Sequence, residues 1–297
     1  MRAIDESCAG RTIDAGTQLC AVIGNPIGHS LSPVIHNAAF EAAGLNFVYL
    51  AFRVEDVRAC LAGMRAMPSF RGLSVTIPHK LAVMEHLDEI DPMAEHVGAV
   101  NTVCHASGRL IGTTTDGPGA LRAIEDAGVS LDGKGVLFIG AGGAVRSAAF
   151  AVAEMTACSQ VTILGRTQSR VNSLVRDLRE KTKAAVEGRR LPEDLSAAMV
   201  AHEVIINGTP LGMFPNSVND TPVPKELLSR DHVVFDMVYR PTKTRLVQEA
   251  ERAGCKIVPG IEMLIHQAAL QFETWTGVRA PIQAMRSVVF SHWEAQQ

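Results

Sequence analysis

Residues 134–155, KGVLFIGAGGAVRSAAFAVAEM, decide how the rest of the 297-residue chain is read. A short apolar run, VLFI, ends at Gly140, and an alanine-rich stretch with helical character begins at Gly143. A strand that turns on glycines and opens a helix is the setting in which a Gly-x-Gly turn acquires chemical meaning. Gly140 and Gly142 permit a tight turn and close backbone approach to a pyrophosphate. Free N–H groups at the helix start would then hold the anionic oxygens, which places Ala141, Gly143 and Ala144 in the same cradle. The pattern departs from G-x-G-x-x-G because Val145 stands at the last glycine position. Taken alone, the motif is also explained by a tight structural turn.

The next strand sharpens the reading. In VTILGRTQSR (161–170) the strand ends at Gly165, where an NAD-binding fold places a carboxylate for the ribose hydroxyl. Here Arg166, Thr167 and Arg170 follow instead. A guanidinium matches a 2′-phosphate in charge and shape, and a carboxylate would repel it. The residues therefore favour NADP over NAD, against the blander reading of two solvated arginines at a helix start.

Working outward, EVIINGT (203–209), HVVFDMV (232–238) and KIVPG (256–260) continue the strand series of this second unit, with helical stretches between most of them. In the first third, LCAVIG (19–24), FVYLAF (47–52), GLSVTI (72–77) and AVNTVCH (99–105) read as strands. Between the first two, SPVIHNAAFEAAG (32–44) reads as a helix with Ser32 as N-cap, Pro33 in the first turn and Gly44 as the stop. Its apolar face is expected at Val34, Ile35, Ala38, Ala39 and Ala42. Strands alternating with helices imply an α/β chain of two domains, both with mostly parallel sheets. The stretch TTTDGPGALRAIEDAG (113–128) holds the junction, and the helices after residue 264 are placed to pack back on the first domain.

Composition narrows the function. With 47% hydrophobic and 20% charged residues and a formal net charge of −3, the chain carries no nucleic-acid footprint and no attraction to acidic lipid. Its most basic stretch, REKTKAAVEGRR (179–190), reads as a solvated helix end and loop. No apolar run approaches the ~18 residues of a spanning helix. Six scattered cysteines lack C-x-x-C spacing, which fits reduced thiols in a cytoplasmic protein, and the ten histidines show no metal-like grouping with carboxylates. No metal site is expected. The first eighteen residues read as a loose extension.

Nine segments in one order resemble the shikimate dehydrogenase family: GNPIGHSLSP, SVTIPHK, GAVNTV, TTDGPG, GAGGA, GRTQSR, NGTPLGM, DMVY and GIEMLIHQAA, spread from about Leu19 to Gly277. The resemblance implies an NADP-dependent oxidoreductase of aromatic amino-acid biosynthesis that interconverts 3-dehydroshikimate and shikimate. It implies a substrate-binding domain over residues 1–115 plus 261–297 and a Rossmann-like NADP-binding domain over 116–260. Lys80, after TIP, matches the family's catalytic lysine, and Asp116 its acidic partner. Such a pair suits the reaction, because hydride movement at a carbinol carbon requires a proton to leave or reach its oxygen. Ser30 and Ser32 match serines that bind the substrate carboxylate, with helix capping as a competing role. Thr76, Asn101 and Gln267 match residues that bind ring hydroxyls, and Tyr239 a tyrosine near the substrate. Thr209, Met237 and Gly260 fall beside the cofactor.

Two departures bear on the substrate. Ser74 and Thr114 stand where the family commonly has asparagine, and a hydroxyl cannot offer the paired donor and acceptor of an amide. Ser74, counted among the substrate contacts, therefore leaves quinate or an amino-substituted analogue open as the ring substrate. His79, beside Lys80, is assigned a structural role because strand alternation would turn it away. The expected partner is a small cyclitol acid, with the chain a monomer or homodimer. A non-catalytic NADP(H)-sensing module is the reading of another class, and the retained Lys80 and Asp116 argue against it.

Overall fold

The computed structural model describes residues 13–294. In chain order these form β1 (Gln18–Gly24), α1 (Ser32–Ala42), β2 (Phe47–Arg53), α2 (Val57–Arg65), β3 (Phe70–Val75), β4 (Glu89–Ile90), α3 (Pro92–Val97), β5 (Thr102–Ala106) and β6 (Arg109–Thr113). There follow α4 (Asp116–Asp126), β7 (Gly135–Ile139), α5 (Gly143–Met155), β8 (Gln160–Gly165), α6 (Gln168–Lys181), β9 (Val186–Arg190) and α7 (Leu195–Ala201). The series closes with β10 (Val204–Asn207), β11 (Val233–Asp236), α8 (Arg245–Arg252), β12 (Lys256–Pro259), α9 (Gly260–Thr276) and α10 (Ile282–Glu294). Two compact units result. One holds the described residues up to Asp91 with 99–113 and those from Ala268 onward; the other holds 92–98 and 114–267.

The first unit is a six-stranded sheet in the order β2-β1-β3-β5-β6-β4. β1 runs parallel to β2 and β3, and β4 parallel to β6, whereas β5 is antiparallel to both neighbours. The reversal between β5 and β6 is made by Ser107 and Gly108, at φ 51° and 82°. Positive φ at both central residues is the two-residue hairpin turn that matches strand twist. The C-terminal half of α9 covers this sheet. Its Trp275 lies across Gly72 of β3, where any Cβ would collide with the indole, and Trp275 Nε1 donates to Val103 O at 3.0 Å.

Several local expectations shift. Ser32 is the first residue of α1 and not its cap; Leu31 caps it without a side-chain hydrogen bond. The face of α1 turned to the core is Ile35, His36, Ala39 and Phe40, and Ala42 is exposed. One apolar stripe drawn from spacing missed this, because a histidine takes part in the buried face. AVNTVCH yields a strand only from Thr102. Of the eighteen-residue extension, residues 1–12 lie outside the described residues, whereas Asp14 to Thr17 are tied down: Asn46 Nδ2 and Gly16 N both donate to Asp14 Oδ1, at 2.9 and 2.8 Å.

The second unit is a parallel six-stranded sheet in the order β12-β11-β10-β7-β8-β9. Counted from β7, this is the doubly wound 3-2-1-4-5-6 arrangement, in which the winding direction reverses between β7 and β10. The half of REKTKAAVEGRR expected to be loop is partly β9, the polar edge strand, paired through Val186–Arg190 with Val161–Gly165. Charged side chains suit an exposed edge, which is why composition alone read it as solvated chain. Among the described residues no helix is long and apolar enough to cross a membrane.

Candidate active site

In the first unit, the end of β3 delivers Thr76 to Lys80 through a backbone-stitched turn. Thr76 N donates to Ile23 O (3.0 Å), His79 N to Thr76 O (2.9 Å) and Val100 N to Lys80 O (3.0 Å). Val75 N donates to Asn101 O at 2.7 Å, so Lys80 and Asn101 are held on adjoining backbone. Lys80 is half-buried and Asn101 buried. His79 is structural, but for a reason other than strand alternation: it sits in the turn, with Nε2 2.9 Å from Val54 O.

The serines of HSLSP lead into α1. Ser32 N donates to Ser30 Oγ at 3.3 Å, and neither side chain caps the helix. Beneath them lies a buried polar chain that spacing did not reveal. Tyr49 Oη donates to Ser74 Oγ at 2.6 Å, and Ser74 Oγ donates to Gln271 Oε1 at 2.8 Å. Gln271 Nε2 donates to Thr102 Oγ1 at 3.0 Å and reaches Asn101 O at 3.4 Å; Thr102 Oγ1 donates to Asn101 Oδ1 at 2.7 Å. Burial pushes the Tyr49 phenol well above its ordinary pKa, and its contacts with Ser74 and, more weakly, Ser32 oppose that shift. His36 stacks on Tyr49 with ring centroids 4.4 Å apart, and burial lowers its pKa to about 3. The sequence signal for Gln271 was its place one helical turn after Gln267.

In the second unit, Gly140 follows β7 at φ +115°, packed against Gly208, which follows β10. This is the point where the sheet changes winding direction, the location at which doubly wound sheets bind ligands. Gly142 caps α5 without a side-chain hydrogen bond, no atom lies within 4 Å of a Cβ built at Gly142 or Gly143, and residues 142–144 are exposed. The start of this thirteen-residue helix is thus exposed, with open space beside Gly142 and Gly143 and no side-chain cap, so the cradle fits a pyrophosphate. Arg166, Thr167 and Arg170 are exposed at the end of β8 and the start of α6. The two guanidiniums, with the Thr167 hydroxyl between them in sequence, are of the charge and donor type that would fit a 2′-phosphate.

Thr209 is fixed by Asn207, whose Oδ1 accepts from Thr209 N at 2.9 Å and from Thr209 Oγ1 at 2.7 Å. Asn207 Nδ2 donates to the fully buried Asp236 at 2.9 Å, and Asp236 also accepts from Thr244 Oγ1 (2.5 Å) and Val238 N (3.1 Å). Burial raises the Asp236 pKa, with these three hydrogen bonds opposing it. Asp236 and Asn207 went unremarked as site supports; the available signal was one polar residue closing each of two otherwise apolar strands. Met237 follows Asp236, and its sulfur lies 3.3 Å from a Cβ built at Gly208. At Gly260, a Cβ would meet Val238 O at 2.7 Å.

Asp116 is the first residue of α4 and half-buried. Gly117 and Gly119 let this helix sit against Ser147 of α5 and the backbone of Gln267 in α9. Gln267 is buried, with Nε2 donating to Leu264 O at 2.9 Å, and Tyr239 is exposed. Lys80 and Asn101 belong to the first unit, Asp116 and Gln267 to the second.

The absence of histidine–carboxylate groupings is corrected at one place. Asp126, Glu262 and His266 offer ligand atoms within 4.8 Å of one another, His266 Nε2 lying 3.4 Å from Asp126 Oδ2 and 3.8 Å from Glu262 Oε2. Glu262 and His266 share a face of α9 at i, i+4, and Asp126 comes from the end of α4, a juxtaposition invisible in the primary order.

Comparison with known proteins shows the family. Family models described as shikimate dehydrogenase substrate binding domain, shikimate/quinate 5-dehydrogenase, and shikimate 5′-dehydrogenase C-terminal domain match residues 22–103, 122–212 and 260–290. The shikimate dehydrogenase (NADP(+)) of Moorella thermoacetica is 41% identical, over 93% of this chain and 94% of its own. That of Thermococcus kodakarensis is 47% identical, over 92% and 96%. The crystal structure of the Listeria monocytogenes shikimate 5-dehydrogenase, in complex with shikimate and NAD, superposes with a TM-score of 0.89 at 36% identity, covering 93% of this chain and 98% of that one. With relatives this close along nearly its whole length, the chain belongs to the shikimate dehydrogenase family.

Proposed function

We propose that the chain is an NADP-dependent oxidoreductase that interconverts 3-dehydroshikimate and shikimate, with residues 1–115 plus 261–297 as the substrate domain and 116–260 as the cofactor domain. The observation that carries the reading is the uncapped glycine loop at the switch point of the second sheet, followed one strand later by Arg166 and Arg170 where a carboxylate would select NAD. NADPH, when bound, supplies the hydride. Gly140 to Ala144 hold the pyrophosphate, Arg166, Thr167 and Arg170 the 2′-phosphate, and Thr209, Met237 and Gly260 border the nicotinamide end.

The chain's own chemistry is placement and proton transfer. Ser30 and Ser32 receive the substrate carboxylate; Thr76, Asn101, Gln267 and Tyr239 hold the ring. In reduction the carbonyl carbon gains hydride, and Lys80 gives its oxygen the proton; in oxidation Lys80 takes the proton back. Asp116 orients the ammonium and binds the reacting hydroxyl. The enzyme works as a cytoplasmic monomer or homodimer, with a small cyclitol acid as its partner and neither nucleic acid nor membrane.

Quinate is the second reading, favoured by Ser74 and Thr114 standing where the family commonly has asparagine. The test is a spectrophotometric assay of purified protein with shikimate and quinate, each against NADP and NAD. Shikimate with NADP should be turned over best. Preference for quinate would reject the substrate and keep the reaction class, and no turnover with any of the four pairs would return the chain to a cofactor-binding module.

A further inference from the structure

The buried chain from Tyr49 to Asn101 has a direction, and that direction decides what Asn101 offers. At Gln271 the two ends of the amide are distinguished by a backbone carbonyl. Asn101 O, 3.4 Å away, can only accept, so the end facing it must be Nε2. Oε1 then faces Ser74, whose hydroxyl donates to it. Nε2 also donates to Thr102 Oγ1, and that hydroxyl passes its single proton onward to the Asn101 side chain. The group receiving it must be an acceptor, which is Oδ1. The Nδ2 end of the Asn101 amide is thereby turned away from Thr102 and fixed as a donor.

We propose that Ser74, Gln271 and Thr102 are positioning residues that lock the Asn101 amide with its NH2 end toward the substrate, so that this position reads a ring oxygen as a hydrogen-bond acceptor. The proposal rests on Asn101 being a substrate-binding residue. It gives Ser74 a role through its neighbours: its one proton goes to Gln271, and Tyr49 fills one of its lone pairs. Without the lock the amide could turn its Oδ1 toward the ring, which would meet an acceptor oxygen with an acceptor. All the links lie within the first unit, and Ser74, Asn101, Thr102 and Gln271 are each at most 9% exposed.

Thr102→Val is the decisive variant, because valine keeps the branched shape in a strand and removes only the hydroxyl that donates to Asn101. Thr102→Ser restores the hydroxyl. Shikimate binding by calorimetry, and KM and kcat with NADP, are read for both and for the parent. Thr102→Val should raise the Kd and KM for shikimate roughly tenfold, the scale of one misdirected buried hydrogen bond. The KM for NADP should stay within about twofold of the parent, and Thr102→Ser should recover most of the shikimate affinity.

Tyr49→Phe is the internal control. It removes the first link upstream of Ser74, and a weaker contact with Ser32, but leaves the downstream donors in order, so the shikimate KM should move clearly less than in Thr102→Val. A Thr102→Val enzyme with parental shikimate affinity, or one whose NADP and shikimate constants worsen together, would overturn the proposal. Ser74→Ala, which breaks the link to Gln271, reads the same outcome if Thr102→Val fails to fold. A parent protein that neither binds nor oxidises shikimate would instead remove the functional reading on which the proposal stands.

Discussion

His36 should make the first unit acid-labile, and a single substitution should remove the effect. The ring lies fully buried on α1, stacked on Tyr49 and tilted against Trp275 at 5.1 Å, with no hydrogen bond to either ring nitrogen. Burial holds its folded-state pKa at about 3, below the ordinary 6.5, and the neighbouring Gln271 side chain offsets this only in part. Because the folded value is the lower one, the unfolded chain takes up the proton first. Stability contributed by neutral His36 is therefore full above pH 6.5 and is lost as pH falls toward 3. The slope is about 1.4 kcal/mol per pH unit, or roughly 2 kcal/mol between pH 6.5 and 5. His36→Phe keeps the stacked ring and removes both nitrogens. Urea unfolding at pH 7 should show the two proteins within about 1.5 kcal/mol, as for a shape-conserving core swap. At pH 5 the variant should have lost about 2 kcal/mol less than the parent. Equal losses in both proteins would refute the assignment of acid lability to this ring.

Lys80→Ala should lower kcat by roughly a hundredfold to ten-thousandfold with little change in the KM for NADP, as expected for loss of a proton-transfer group; equal losses in both constants would point to a binding role. Replacing Arg166 and Arg170 together by alanine should weaken NADP by roughly tenfold to a hundredfold and leave NAD almost unchanged, measured as the ratio of kcat/KM values. A parallel loss for both nucleotides would move those arginines out of the 2′-phosphate site. Gly208→Ala should cost about 1–3 kcal/mol in urea unfolding and raise the KM for NADP, because the added Cβ would overlap Val145 Cγ2; the double variant with Val145→Ala should recover most of the stability, and no recovery would mean the strain is elsewhere.

The legible parts of the chain were those in which one short stretch carries its own geometry. VLFIGAGG and VTILGR each contain strand, turn and helix start in sequence, so the parallel sheet and its glycine loop could be read from period and punctuation. The turn carrying Lys80 was legible for the same reason. What escaped was set by distant partners. β5 reads like any apolar strand, and its antiparallel direction follows from a two-residue turn at Ser107 and Gly108. β9 is polar because it lies at an edge. Gln271 and Tyr49 are separated by most of the chain, and each looks ordinary until both are found on the hydroxyl of Ser74.

Val145 shows how a broken motif can be repaired out of register. In the dinucleotide fingerprint the third glycine lets the helix pack closely on its neighbouring strand. Valine there should push the helix away, unless the strand side yields the space instead. Gly208 yields it: it follows β10, the strand beside β7 across the switch point, and Val145 Cγ2 occupies the place its Cβ would take. On the loop side it is Gly140's own missing side chain that matters, since a Cβ there would press on the Gly208 carbonyl carbon at 3.2 Å. One glycine sixty-odd residues downstream thus makes room for the helix, at a position that also starts the turn leading to Thr209. A search for the fingerprint in consecutive residues sees a defect at Val145. The folded sheet holds the complementary small residue on the adjacent strand end, so close packing depends on the pair of positions and not on glycine at either one in particular.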